Sequence, residues 1–168
     1  MNKIILILVL FFLNSLCLAN NNLPYDFSDT NYLKIKMTPI TRIVSNGEFY
    51  EGQEVKFKIR NNIYCHGLTL VKKGTIATAR IETIVTKGMN GFPAEIILNN
   101  FKIDGINESQ LMGEYIKTGR NWALMVYPIK WALTPIPFVG SLTNLIRGGE
   151  ARIETDDIVT IKYYPHWK

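Results

Sequence analysis

Beyond Cys17 near the start of the chain, three side chains in this sequence could move a proton near neutral pH or attack as a thiolate: Cys65, His66 and His166. Their spacing limits what they can do. In an extended chain, neighbouring residues point to opposite faces, so Cys65 and His66 cannot form a thiol–imidazole pair. Cys65 and His166 could pair only if the last strand lies beside the strand that carries Cys65, and no activating signature accompanies them. The bland alternative for Cys65 is a small buried hydrophobe. Intermolecular pairing or a reactive thiol stays open. No two Cys, His, Asp or Glu residues fall at zinc spacing. Asp104, Asn107 and Glu108 lack the alternating oxygen order of a calcium loop. The G-x-x-G of Gly88–Gly91 lies between strand signals, not before a helix that could hold a phosphate. The residues therefore imply no catalytic group, no metal and no cofactor. A secreted thiol-dependent or other hydrolase is kept as the rival reading.

Two other groups of residues could recognise a partner. Lys34 and Lys36 alternate with Leu33, Ile35 and Met37, while Lys56, Lys58 and Arg60 alternate with Val55, Phe57 and Ile59. Period-two alternation gives each segment one dry and one wet face. If the two strands pair through the Asn46-Gly47 turn, the five cations form one stripe. Such a stripe either keeps a strand surface soluble or receives an anionic glycan, a lipid headgroup or an acidic protein. Nucleic acid is not expected, because no aromatic residues interleave with the cations to stack bases. The second group is Trp122–Ile146, rich in large apolar residues, with Lys130 as its only charge before Arg147. Pro128, Pro135 and Pro137 rule out a regular central strand and a straight helix there on this reading. The segment either packs over one mouth of the fold or exposes an apolar surface to a protein or a membrane interface. Trp122 and Trp131 are the expected anchors of such a surface.

The elements that must position these groups are mostly strands. The extended pattern of Leu33–Met37 continues through Ile40–Ser45, and Gln53–Arg60 follows. Further strands are expected over Ile63–Val71, over Thr75–Thr86 with Ala77, Ala79, Ile81 and Val85 on one face, over Ala94–Ile103 and over Gln110–Lys117. Glu150–Thr155 and Ile158–Tyr164 flank Asp156-Asp157 as a final hairpin. One short helix is expected over Ser141–Arg147, with Ser141 as cap and Gly148 as stop. The fold class that follows is all-β: a small antiparallel barrel or sandwich with one apolar proline-rich insert over residues 122–148.

The start of the chain predicts export. Lys3 precedes the apolar run Ile4–Leu13, and Cys17-Leu18-Ala19 supplies small residues for cleavage after Ala19. The run is too short for a spanning helix. Residues 1–19 read as a signal peptide, 20–32 as a polar leader and 33–168 as one β domain. Cys17 leaves with the signal, so no internal disulfide is possible and the core must hold by packing. The net charge of +5 becomes +4 without Lys3, a mildly basic balance that suits an anionic partner. Hydrophobic residues make up 47% and charged residues 20% of the chain, which argues against disorder.

From Lys72 to Tyr164 the strings KKGTIATARIET, GMNGFPAEIILNNFKIDG, QLMGEY, an apolar proline-rich insert and RGGEARIETDDIVTI follow in order. This order resembles that of exported β-domain proteins of bacterial envelopes. It is also loosely similar to the barrel domain of the outer-membrane pore component of type IV secretion machines. The resemblance implies an envelope β-barrel module in the periplasm, at the outer membrane or outside the cell. Such a module binds an envelope protein or an anionic envelope surface, with possible peripheral membrane contact through residues 122–146. No functional residue is carried over from it. A non-catalytic binding or assembly module is the expected function, with a purely structural envelope component as a further alternative.

Overall fold

The computed structural model describes residues 32–65, 67–136 and 139–165. The signal segment, the leader up to residue 31, His66 and His166 lie outside the described residues, and so does the Cys65–His166 pair.

Eleven strands follow in order: β1 (Leu33–Pro39), β2 (Ile43–Val44), β3 (Glu54–Ile59), β4 (Ile63–Cys65), β5 (Leu68–Val71), β6 (Ile76–Val85), β7 (Glu95–Ile103), β8 (Leu111–Met112), β9 (Tyr115–Thr118), β10 (Arg152–Ile153) and β11 (Val159–Tyr163). One helix, α1 (Ala123–Leu133), and two 3-10 segments (Glu108–Gln110 and Val139–Leu145) complete the described elements. Seven strands form one curled antiparallel sheet in the order β8-β11-β1-β3-β6-β7-β9. Its two edges, β8 and β9, are separated in the chain by Gly113 and Glu114 alone. The sheet therefore comes round until its edges meet. Gly113 stands at that meeting, where an added Cβ would lie 3.0 Å from Ile161 Cγ2. The barrel-like all-β fold expected from the residues is the one observed.

Alternation builds the core. Leu33, Ile35 and Met37 from β1 point inward, as do Val55, Phe57 and Ile59 from β3 and Val159, Ile161 and Tyr163 from β11. Ala77, Ala79 and Ile81 leave room for larger side chains opposite, and the Phe57 and Phe101 rings meet at 6.2 Å. Burial of these side chains is the main stabilising term, about 1.5–3 kcal/mol for each large one. The paired ribbon of β2 and β10 covers one end of the barrel with Ile43, Val44 and Ile153. Ser45 Oγ accepts from the Ala151 N–H at 3.0 Å and fixes the register of that ribbon.

Several local expectations are corrected. Residues 63–71 form the β4–β5 hairpin rather than one strand. Ile40–Ser45 breaks after Pro39, and only Ile43–Val44 returns to a ladder, so β1 reaches β3 through β2 and not by a tight Asn46-Gly47 hairpin. Of the two register shifts between β6 and β7, the one between Ile81 and Thr83 places the extra residue in β6 and reverses its alternation, so Val85 turns outward at 47% exposure. Residues 110–117 divide into β8 and β9, the two sheet edges. Glu150–Thr155 and Ile158–Tyr164 are not a hairpin: β10 pairs with β2, and β11 pairs with β1. The insert also carries an α-helix that continues through Pro128. Proline there leaves the Leu124 carbonyl without its helical donor, and Leu124 is 81% exposed, so water can take that acceptor. Ser141 lies inside a 3-10 segment rather than capping an α-helix.

Candidate functional site

The chain directions place the insert at one end of the barrel and three cations at the other, with the rest of the stripe running along the wall between them. β1 and β6 run towards the ribbon, while β3, β7 and β11 run away from it. The insert leaves from the end of β9 and returns into β10, so it sits at the ribbon end. Arg60, Lys34 and Lys162 sit at or near strand termini at the other end.

At the ribbon end the insert is sewn to the rim through backbone groups. Trp122 N–H donates to the Gly91 carbonyl at 3.0 Å, Gly91 N–H to the Ile146 carbonyl at 2.8 Å, and Gly148 N–H to the Gly88 carbonyl at 3.2 Å. Gly148 is required by this close approach: a Cβ there would overlap the Phe92 carbonyl. The helix turns only Ala123 and Val126 fully inward, and neither belongs to the main barrel core. Lys130, the one charged residue of α1, also faces inward, where its Nζ donates to Asn144 Oδ1 at 3.1 Å and Asn90 Oδ1 at 3.3 Å. The outward positions hold Leu124, Met125 (60% exposed), Tyr127, Ile129 and Trp131 (77% exposed). The polarity of a surface helix is thus inverted, with the charge inside and the large apolar side chains in solvent. Leu142, Leu145 and Ile146 of the neighbouring 3-10 region extend the exposed apolar area.

Trp131 stands free on this surface. Trp122 does not: it precedes the helix, is half-buried, and lies under the Arg120 guanidinium at 4.2 Å from its ring centroid. Leu124, Met125 and Tyr127 are members of the exposed face that reading by residue type missed. Their signal was the helical spacing of Ala123, Val126 and Lys130, hidden because apolar residues occupy the other positions too.

On the barrel wall, Lys34, Lys36, Lys56, Lys58 and Arg60 all project from the outer face of β1 and β3. The Arg60 N–H donates to the Lys36 carbonyl at 2.9 Å and sets those two residues side by side. Register adds a cation that the sequence did not single out: Lys162 of β11 lies directly across from Lys34. Its ammonium also sits 4.7 Å from the Tyr32 ring centroid. Among the described residues the five stripe cations make no ion pair. Four of the five ion pairs lie elsewhere, towards the ribbon end: Arg42–Glu154, Lys87–Glu150, Lys117–Asp157 and Arg152–Glu150.

Among the described residues no group of three or more His, Cys, Asp or Glu side chains could hold a metal ion. A shallow groove of about 340 Å³ at the sheet seam is lined by Met112, Gly113, Glu114, Thr160, Ile161, Lys162 and Tyr164. Its charged groups are Glu114 and Lys162, beside the hydroxyls of Thr160 and Tyr164. No helix of the described residues is long and apolar enough to cross a membrane. Compared with family models, curated proteins and solved structures, the chain matches none.

Proposed function

We propose that the protein is an exported, non-catalytic module of the cell envelope that is held to a partner protein by the outer face of α1 and its neighbouring 3-10 segment. The carrying observation is the inverted helix: five large apolar side chains face solvent while Lys130 is turned in upon two amides. Leu, Met, Tyr and Trp together provide the aromatic and flexible apolar contacts that dominate protein interfaces. A lipid interface fits less well. Helices that lie in headgroups display lysine or arginine along their polar face, and the only cation of α1 is withdrawn. At 11 residues the helix is about 16 Å long, roughly half the hydrocarbon thickness of a bilayer.

The test is cell fractionation with a salt wash followed by an alkaline wash, with crosslinking of the retained fraction. The wild-type chain is expected to stay with the envelope through high salt and to leave at alkaline pH, crosslinked to a discrete protein. The double variant Leu124→Asp/Trp131→Asp changes two exposed positions, so it should fold and be released by the salt wash or earlier. Wild-type protein found free in the periplasm or medium, without a crosslink, would refute the reading. Binding to protein-free vesicles that is lost in the double variant would replace the protein partner by a lipid surface.

A further inference from the structure

We propose that the cationic outer face of β11, β1 and β3 binds a linear polyanion, an acidic chain bearing about one carboxylate or phosphate per repeat. This surface is separate from the apolar face of the insert and does not depend on it.

The inference starts from an arrangement that is unfavourable for the protein alone. Lys34 and Lys162 are direct cross-strand partners. Side chains in such positions have Cβ atoms about 5 Å apart, and like charges there destabilise a sheet. Lys36 and Arg60 repeat the arrangement on the other side of β1, and Lys58 and Lys56 continue it along β3. No described acid forms an ion pair with any member of the stripe, although Glu54 shares the outer face of β3 and the same chain pairs Lys87, Lys117 and Arg152 elsewhere. A row of anions along this face would relieve every one of those repulsions together.

Curvature selects the kind of anion. The sheet is curled, so the outward side chains of β11, β1 and β3 splay away from one another rather than standing in one plane. A planar bilayer can touch one of these strands closely but not all three. A flexible chain can bend round them, meeting a cation about every 5 Å across strands and about every 7 Å along them. Along β1 and β3 no aromatic side chain stands between the outward cations, and the half-buried Tyr32 ring meets only Lys162 at the end of the stripe, so the face offers charge with little platform for bases.

The experiment uses the processed full chain with two probes of different anion, polygalacturonate and polyphosphate. It compares them with phosphatidylglycerol vesicles and oligothymidylate at equal total charge. Binding to one or both polymers is expected, with an affinity that falls steeply as salt rises. The variant Lys34→Glu/Lys36→Glu should bind at least about tenfold more weakly, with a shallower salt dependence. Its thermal midpoint should hold or rise, because each new glutamate faces Lys162 or Arg60. That opposite movement of affinity and stability separates loss of a binding face from loss of the fold. Unchanged polymer binding in the variant, no polymer binding by the wild type at low salt, or tighter binding of vesicles or oligothymidylate than of both polymers would overturn the proposal.

Discussion

Glu150 receives two cations at once, Lys87 Nζ on Oε1 and Arg152 Nη2 on Oε2, each at 2.8 Å. The hydrogen bond from Lys87, reinforced by that from Arg152, holds its carboxyl at about 2, well below the ordinary 4.5. Asp157 is lowered too, chiefly by its hydrogen bond from Lys117, with help from the Glu154 N–H. A carboxyl whose folded value is depressed binds fewer protons folded than unfolded near pH 4. Its contribution is therefore whole above pH 4.5 and lost as pH falls towards 2. Urea midpoints measured at pH 7, 4.5 and 3 should fall over the last step, and Glu150→Gln should flatten that fall. An identical pH dependence in the variant would show that the pair does not couple to folding. Residue by residue, the stripe was legible because alternation marks a wet face without reference to any neighbour. Lys162 and Glu150 were not, because their meaning comes from partners far away in the chain: Lys87 is 63 positions before Glu150.

Among the elements, α1 departs furthest from what its residues suggest. Three prolines and apolar residues on every side hid its period, yet Ala123, Val126 and Lys130 fall on one stripe and fix how the helix sits. Pro128 costs it one backbone hydrogen bond, the one its missing N–H would donate to the Leu124 carbonyl. Pro128→Ala restores the N–H and should raise the urea midpoint by an amount worth about 1–2 kcal/mol, less than an interior proline usually costs because proline also restricts the unfolded chain. A lowered midpoint would mean that the ring itself packs against the insert. Strands with strict alternation, β1, β3 and β11, were legible in place and in face. The β4–β5 hairpin and the bulged β6 were not. Between the paired Cys65 and Leu68 the sequence carries no Asn-Gly or Asp-Gly mark, and a bulge reverses the faces without changing residue types.

For the whole molecule, the residues left barrel and sandwich undecided, since nothing local says that β11 lies beside β1 or that β8 and β9 are opposite edges of one sheet. Closure rests on the passage from β8 to β9 at Gly113, pressed against Ile161. Gly113→Val should lower stability by about 1–3 kcal/mol through overpacking at that seam. Hydrogen exchange should show β8 and β11 losing protection before β3 and β6. Uniform loss across all strands would mean that the seam is not where the sheet opens.

The placement of the insert at one end of the strands, and of Lys34, Arg60 and Lys162 at the other, has a mechanical meaning. A pull between a protein seated on α1 and a polymer held at those three cations acts along the strand axes. Ladder hydrogen bonds lie perpendicular to that line, so the sheet is loaded in shear. Neighbouring strands can slide only by breaking a whole ladder at once, whereas the same sheet pulled across its strands would open bond by bond, like a zip.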